Sequence, residues 1–92
     1  MAKKKLKLSN PNAIGLFEFN DVKEPNVRRQ FLVLHLYLTA TDTENGYVVY
    51  REVKNEIELS TRKSAIYPSI ETGKPSFMVD ENEVLVEDIC LV

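Results

Sequence analysis

From Tyr47 to Ser60 the chain alternates. Five of the seven odd positions, Tyr47, Val49, Val53, Ile57 and Leu59, are apolar, against two of the seven even ones, Val48 and Tyr50. A repeat of two marks an extended chain with one buried face, because successive strand side chains point to opposite sides. The odd face is the more apolar, so it is read as the buried one. Thr43-Glu44-Asn45-Gly46 stands just ahead. Asn-Gly is a hairpin signal because both residues tolerate positive φ, so the turn joins this strand to the run before it.

That earlier run, Gln30 to Thr41, is almost wholly apolar and reads as a strand. Lys5-Leu6-Lys7-Leu8 alternates polar and apolar, and Ala13 to Phe19 is short and aromatic-rich. Phe77-Met78-Val79 and Val84 to Val92 flank Asp80-Glu81-Asn82-Glu83, which reads as a second hairpin. Turn-forming residues also cluster at Asn10-Pro11-Asn12, at Asn20 to Asn26 and at Thr72 to Ser76. The pattern predicts an all-β fold, a small sandwich or barrel of about six strands.

An α+β arrangement competes with it. Glu24-Pro25 could open a helix over Asn26 to Leu38, with Val27, Phe31, Leu34 and Leu38 at helical spacing. Val49, Val53 and Ile57 also fit a helix, and Ser60 or Thr61 could cap another from Arg62. A terminal hairpin would then complete a winged helix. Pro68 opposes this, since inside a helix it costs about 3 kcal/mol. An OB-like barrel is the other alternative, with a helix between Tyr50 and Tyr67.

A chain of 92 residues is read as one β-rich domain, 1–92, with residues 1–5 as a basic tail. No window approaches the roughly 18 apolar residues of a membrane helix. No apolar region follows Met-Ala-Lys-Lys-Lys, so it is not read as a secretory signal. Cys90 is the single cysteine and no Asn-x-Ser/Thr site is present, which fits a reducing, cytoplasmic setting.

The residue types that carry chemistry are sparse. His35 is the only histidine and lies among leucines, which reads as a core or interface residue. Cys90, in Ile89-Cys90-Leu91-Val92, reads as a small buried hydrophobe. One His and one Cys make no zinc site. Gly73-Lys74 lacks the rest of a phosphate loop: Pro68 stands where the first glycine is needed and Pro75 replaces the Ser/Thr. Asp42, Glu44 and Gly46 begin a calcium loop that Val53 fails to close. No catalytic residue, metal site or cofactor is assigned, and the chain is read as non-enzymatic.

Charge is uneven. Residues 1–29 carry a balance of +4, residues 30–75 of −1 and residues 76–92 of −5. Opposite ends attract, within a chain or between chains. Lys3–Leu8 has edge-strand alternation, with Leu6 and Leu8 on one face and Lys5 and Lys7 on the other. Pairing it with Val84–Val92 would set Lys5 and Lys7 near Glu87 and Asp88. The expected function is a binding or assembly module working through a sheet face or edge, its partner another copy or another protein and not a membrane. The alternative is nucleic-acid binding by Lys3, Lys4, Lys5, Lys7, Arg28 and Arg29, with Phe17, Phe19, Tyr37, Tyr47 and Tyr50 as stacking surfaces.

Overall fold

Residues 10–38 and 46–92 are described by the computed structural model, and all but one of their regular elements are strands. These are β1 (Gly15–Asn20), β2 (Arg28–Tyr37), β3 (Tyr47–Lys54), β4 (Ile57–Ala65), β5 (Tyr67–Pro68), β6 (Pro75–Val79), β7 (Asn82–Leu85) and β8 (Cys90–Leu91). Val86–Asp88 forms a 3-10 turn. The first four strands make an antiparallel meander, and β8 returns to pair with β1, giving the order β4-β3-β2-β1-β8. A smaller sheet, β5-β6-β7, packs on one face.

Aromatic side chains build the layer between the sheets. Phe17 on β1 stacks on Phe31 of β2 with centroids 4.7 Å apart and planes 3° from parallel. Phe77, from β6, meets Phe17 edge-on at 5.3 Å. Val33, Val48, Tyr50, Val79 and Val84 complete this core, and Ile66 and Ile89 close it. Edge-to-face and offset pairs suit the ring quadrupole and add to the apolar area removed from water.

The all-β reading holds, with eight strands among the described residues against an expectation of about six. The helical alternatives do not. Residues 26–38 enter β2 at Arg28, and the segment after Ser60 continues as β4. No helix lies between Tyr50 and Tyr67, as the OB-like alternative needs. The β-branched and aromatic residues of β2 and β3 satisfy one another across a ladder, which outweighs a sparse stripe at helical spacing.

Three local readings change. Tyr47–Ser60 is two strands: Asn55 (φ 53°) and Glu56 (φ 66°) form a two-residue turn between Lys54 and Ile57. Both residues at positive φ give the type I′ geometry that matches strand twist. The buried face of β3 is also the even one: Val48 and Tyr50 are buried, while Tyr47, Val49, Arg51 and Val53 lie on the outer face. Val84–Val92 is not one strand, because the 3-10 turn bends it between β7 and β8.

Gly46 is needed for a different reason from the one its Asn-Gly context suggests. It is not among the glycines at positive φ, but a Cβ there would stand 2.7 Å from the Tyr37 carbonyl oxygen. Lys3–Leu8 and Thr43–Asn45 lie outside the described residues.

Candidate functional site

Arg29 is the hub of a charged cluster at one end of the sandwich. Its Nε donates to Glu52 Oε2 at 2.9 Å and its Nη2 to Glu52 Oε1 at 2.8 Å, a two-point grip from β2 to β3. Nη2 also reaches Asp80 Oδ2 at 2.8 Å, in the β6–β7 turn. Arg62 on β4 holds the same carboxylate, Nη2 to Oδ1 at 2.7 Å. The Arg29 guanidinium lies 5.4 Å from the Phe31 ring centroid and 5.7 Å from that of Phe19. The cluster thus rivets the small sheet to the large one.

Protonation follows from these contacts. Hydrogen bonds from Arg62 and then Arg29 hold the Asp80 carboxyl at about 2, against an ordinary 3.8. Glu52 first, then Asp80, raises the Arg29 pKa, so the guanidinium stays charged. Asn82 fixes the same corner: its Nδ2 donates to Asp21 Oδ1 at 3.0 Å and its Oδ1 accepts the Val22 N–H at 2.7 Å. The bond from Asn82 to the Asp21 carboxylate is the main cause of a lowered Asp21 pKa. Asp80 and Glu81 take positive φ (47° and 74°), so this turn repeats the Asn55–Glu56 geometry. Beside Arg29, a polar cleft of about 430 Å³ opens between the β1–β2 loop and the Asn55 turn.

The second site is β4 itself. It has nine residues and ends the five-stranded sheet, pairing with β3 and with no other described strand. Its inward side chains are tied down. Ser64 donates its hydroxyl to the Met78 carbonyl at 2.9 Å, so Tyr50 donates to the Ser64 oxygen at 2.7 Å. Arg62 is held by Asp80. On the outer face the order is Glu58, Thr61, Lys63. Arg51 Nε donates to Thr61 Oγ1 at 2.7 Å, and Arg51 Nη1 to Glu58 Oε1 at 3.0 Å. Asn10 Nδ2 donates to the same Glu58 oxygen at 3.1 Å; this bond, then Arg51, lowers the Glu58 pKa. Lys63 Nζ lies 4.6 Å from the Tyr47 ring centroid. Leu59 and Ser60 together oppose Glu52, a β-bulge, since the register shifts by one between Arg51 and Val53. Ile57 is 62% exposed and Leu59 43%.

The residues singled out from sequence fall in different places. Arg29 is engaged by three carboxylates, with Asp21 the third at 3.5 Å, and does not face outward as a phosphate ligand would. Arg28 is exposed and donates to Asn20 Oδ1 at 3.0 Å. Glu87 and Asp88 sit on the 3-10 turn rather than on a strand, and Glu87 pairs with Lys74 Nζ at 3.4 Å. Lys3, Lys4, Lys5, Leu6, Lys7 and Leu8 lie outside the described residues. Phe17 and Tyr50 are core, and Phe19 packs against it. Tyr37 and Tyr47 stand on the outer face, with ring centroids 5.6 Å apart. His35 is exposed there, 5.5 Å from Tyr47, which rules out the core half of its core-or-interface reading. Cys90 is exposed on β8 instead of packed inside.

Sequence reasoning overlooked that β4 ends the sheet among the described strands, because it merged β4 with β3. The signal was Asn55-Glu56, an Asn at the first position of a two-residue turn. Among the described residues, no helix is long and apolar enough to cross a membrane. No protein-family model matches the chain, and no curated protein or solved structure matches it.

Proposed function

We propose that this protein is a non-enzymatic assembly module that joins copies of itself along the side of β4 that no other described strand pairs. One observation carries the reading: the outermost strand of the large sheet is nine residues long and pairs on one side only among the described residues. The other outer strands are shorter, two residues each in β5 and β8 and four in β7. A long edge offers a row of backbone donors and acceptors to another strand, and proteins normally shorten, bend or cover it; β4 carries one bulge, at Leu59–Ser60, but keeps its nine-residue length. The apolar Ile57 and Leu59 give such a strand area to bury. Two-fold dimers are the commonest closed oligomers, and their axis pairs the same surface on both copies, as two identical edges would pair.

Size exclusion with light scattering tests this, run from about 10 to several hundred micromolar. Twice the chain mass, or a higher multiple, supports the module; the single-chain mass throughout overturns it. A second reading, binding of single-stranded nucleic acid, is favoured by Tyr37 and His35 exposed beside Lys63 on the outer face. Oligonucleotide affinity that falls steeply with salt supports it, and no binding at about 50 mM salt excludes it.

A further inference from the structure

We infer that two copies pair antiparallel along β4, about a two-fold axis at Thr61. This deepens the assembly reading and rests on it. Glu58 lies opposite Val53 and Lys63 opposite Val49, so both project from the outer face, as does Thr61 opposite Arg51. Because Leu59 and Ser60 share one pairing step, Thr61 lies midway between Glu58 and Lys63, two steps from each. The row reads acid, hydroxyl, base. A two-fold axis through its centre carries it onto its charge complement.

That axis sets Thr61 against the partner's Thr61, Glu58 against the partner's Lys63, and Lys63 against the partner's Glu58. Every residue meets one from the same face, as a continuous antiparallel sheet requires. Ile57 meets the partner's Ser64, since Ile57 lies opposite Lys54 and Ser64 opposite Val48, both on the core side of β3. Moving the axis to Arg62, Lys63 or Glu58 places like charges face to face, which destabilises a strand pair. Arg51 and Asn10 both bond Glu58 Oε1, so they brace its carboxylate in position. The dimer would join two five-stranded sheets into one.

The register is tested with the full-length chain by light scattering and by position-specific cross-linking. Lys63→Glu turns two attractive pairs into repulsive ones, and the dimer dissociation constant is expected to rise roughly tenfold or more. Glu58→Lys combined with Lys63→Glu restores opposite charges across the axis and is expected to recover part of the lost affinity, not all of it, because the introduced lysine would stand beside Arg51. Circular dichroism establishes that each variant is folded. In a Cys90→Ser background, Thr61→Cys is expected to give a disulfide-linked dimer on mild oxidation, because directly opposed residues fall within disulfide reach. Asn55→Cys in that background is expected to stay single. A dimer in which the double exchange fails to rescue and Thr61→Cys fails to cross-link overturns this register while leaving self-assembly standing. A wild-type chain that is single at all concentrations overturns both.

Discussion

Replacing Arg29 with methionine removes the guanidinium, which lies over Phe19 and Phe31, but keeps most of the apolar stem. It strands Glu52, whose side chain is 12% exposed and which receives two of the Arg29 donors. Removing one member of such an enclosed pair costs about 3–5 kcal/mol, because a desolvated charge loses its partner. Asp80 keeps Arg62 and Asp21 keeps Asn82, so the loss concentrates at Glu52. A chain of 92 residues has a total stability of about 5–14 kcal/mol, so this single change removes roughly a fifth or more. Urea unfolding followed by circular dichroism reads it directly. With a slope of about 2 kcal/mol per molar, a loss of 4 lowers the midpoint by about 2 M. The double variant Arg29→Met, Glu52→Leu removes both charges and should return to within roughly 1 kcal/mol of wild type, since apolar pairs of similar volume often replace buried ion pairs without loss. A single variant losing less than about 1 kcal/mol, or a double variant no better than the single, would refute the claim that the enclosed pair, rather than the aromatic stack beneath it, governs this corner.

Acid should loosen the same corner. The folded Asp80 pKa of about 2 lies below the ordinary 3.8, so its contribution is complete above about pH 4 and is lost as pH falls towards 2. The shift corresponds to about 2.5 kcal/mol, but the side chain is 48% exposed, and solvent screening reduces the expected loss to roughly 1 kcal/mol. In Asp80→Asn the stability difference between pH 4 and pH 2 should shrink by that amount in urea titrations. Glu56→Gly should stabilise the chain by about 1 kcal/mol, because Glu56 sits at φ 66° where glycine carries no Cβ penalty; an unchanged melting temperature would contradict this. Gly15→Ala would place a Cβ 2.8 Å from the Cys90 carbonyl oxygen and should push β8 from β1. Hydrogen exchange would show it as lost protection at the Val92 amide, which donates to Ile14.

The strand character of residues 47–59 was legible because alternation needs no tertiary knowledge. Its facing was not. β3 is apolar on both sides: Val48 and Tyr50 enter the core, while Tyr47, Val49 and Val53 line the outer face beside Leu16 and Leu32. Counting apolar residues therefore chose the wrong side. The polar even residues deceived as well. Glu52 is polar yet faces inward, because Arg29 meets it there. That partnership joins residues 23 apart and has no local signature. The turn at Asp80–Glu83 was visible from its composition, whereas Asn55-Glu56 lacks the glycine that announces such turns. His35 was misplaced by its leucine neighbours, since the extra residue between Val33 and His35 shifts the strand's facing beyond it.

The meander order has a consequence during synthesis. Strands β1 to β4 pair with their sequence neighbours, so the four-stranded meander of the large sheet closes only local loops and can form as soon as Ala65 has emerged, before β8 is made. At that moment Phe17, Phe31, Val33 and Tyr50 form an aromatic wall open to water, because Phe77, Val79 and Val84 are still to be made. At ordinary ribosomal speeds of about 5–20 residues per second, that wall waits roughly a second or more for its cover. The nascent chain is most vulnerable to sticking in that interval, and a chaperone acting on it would meet those rings.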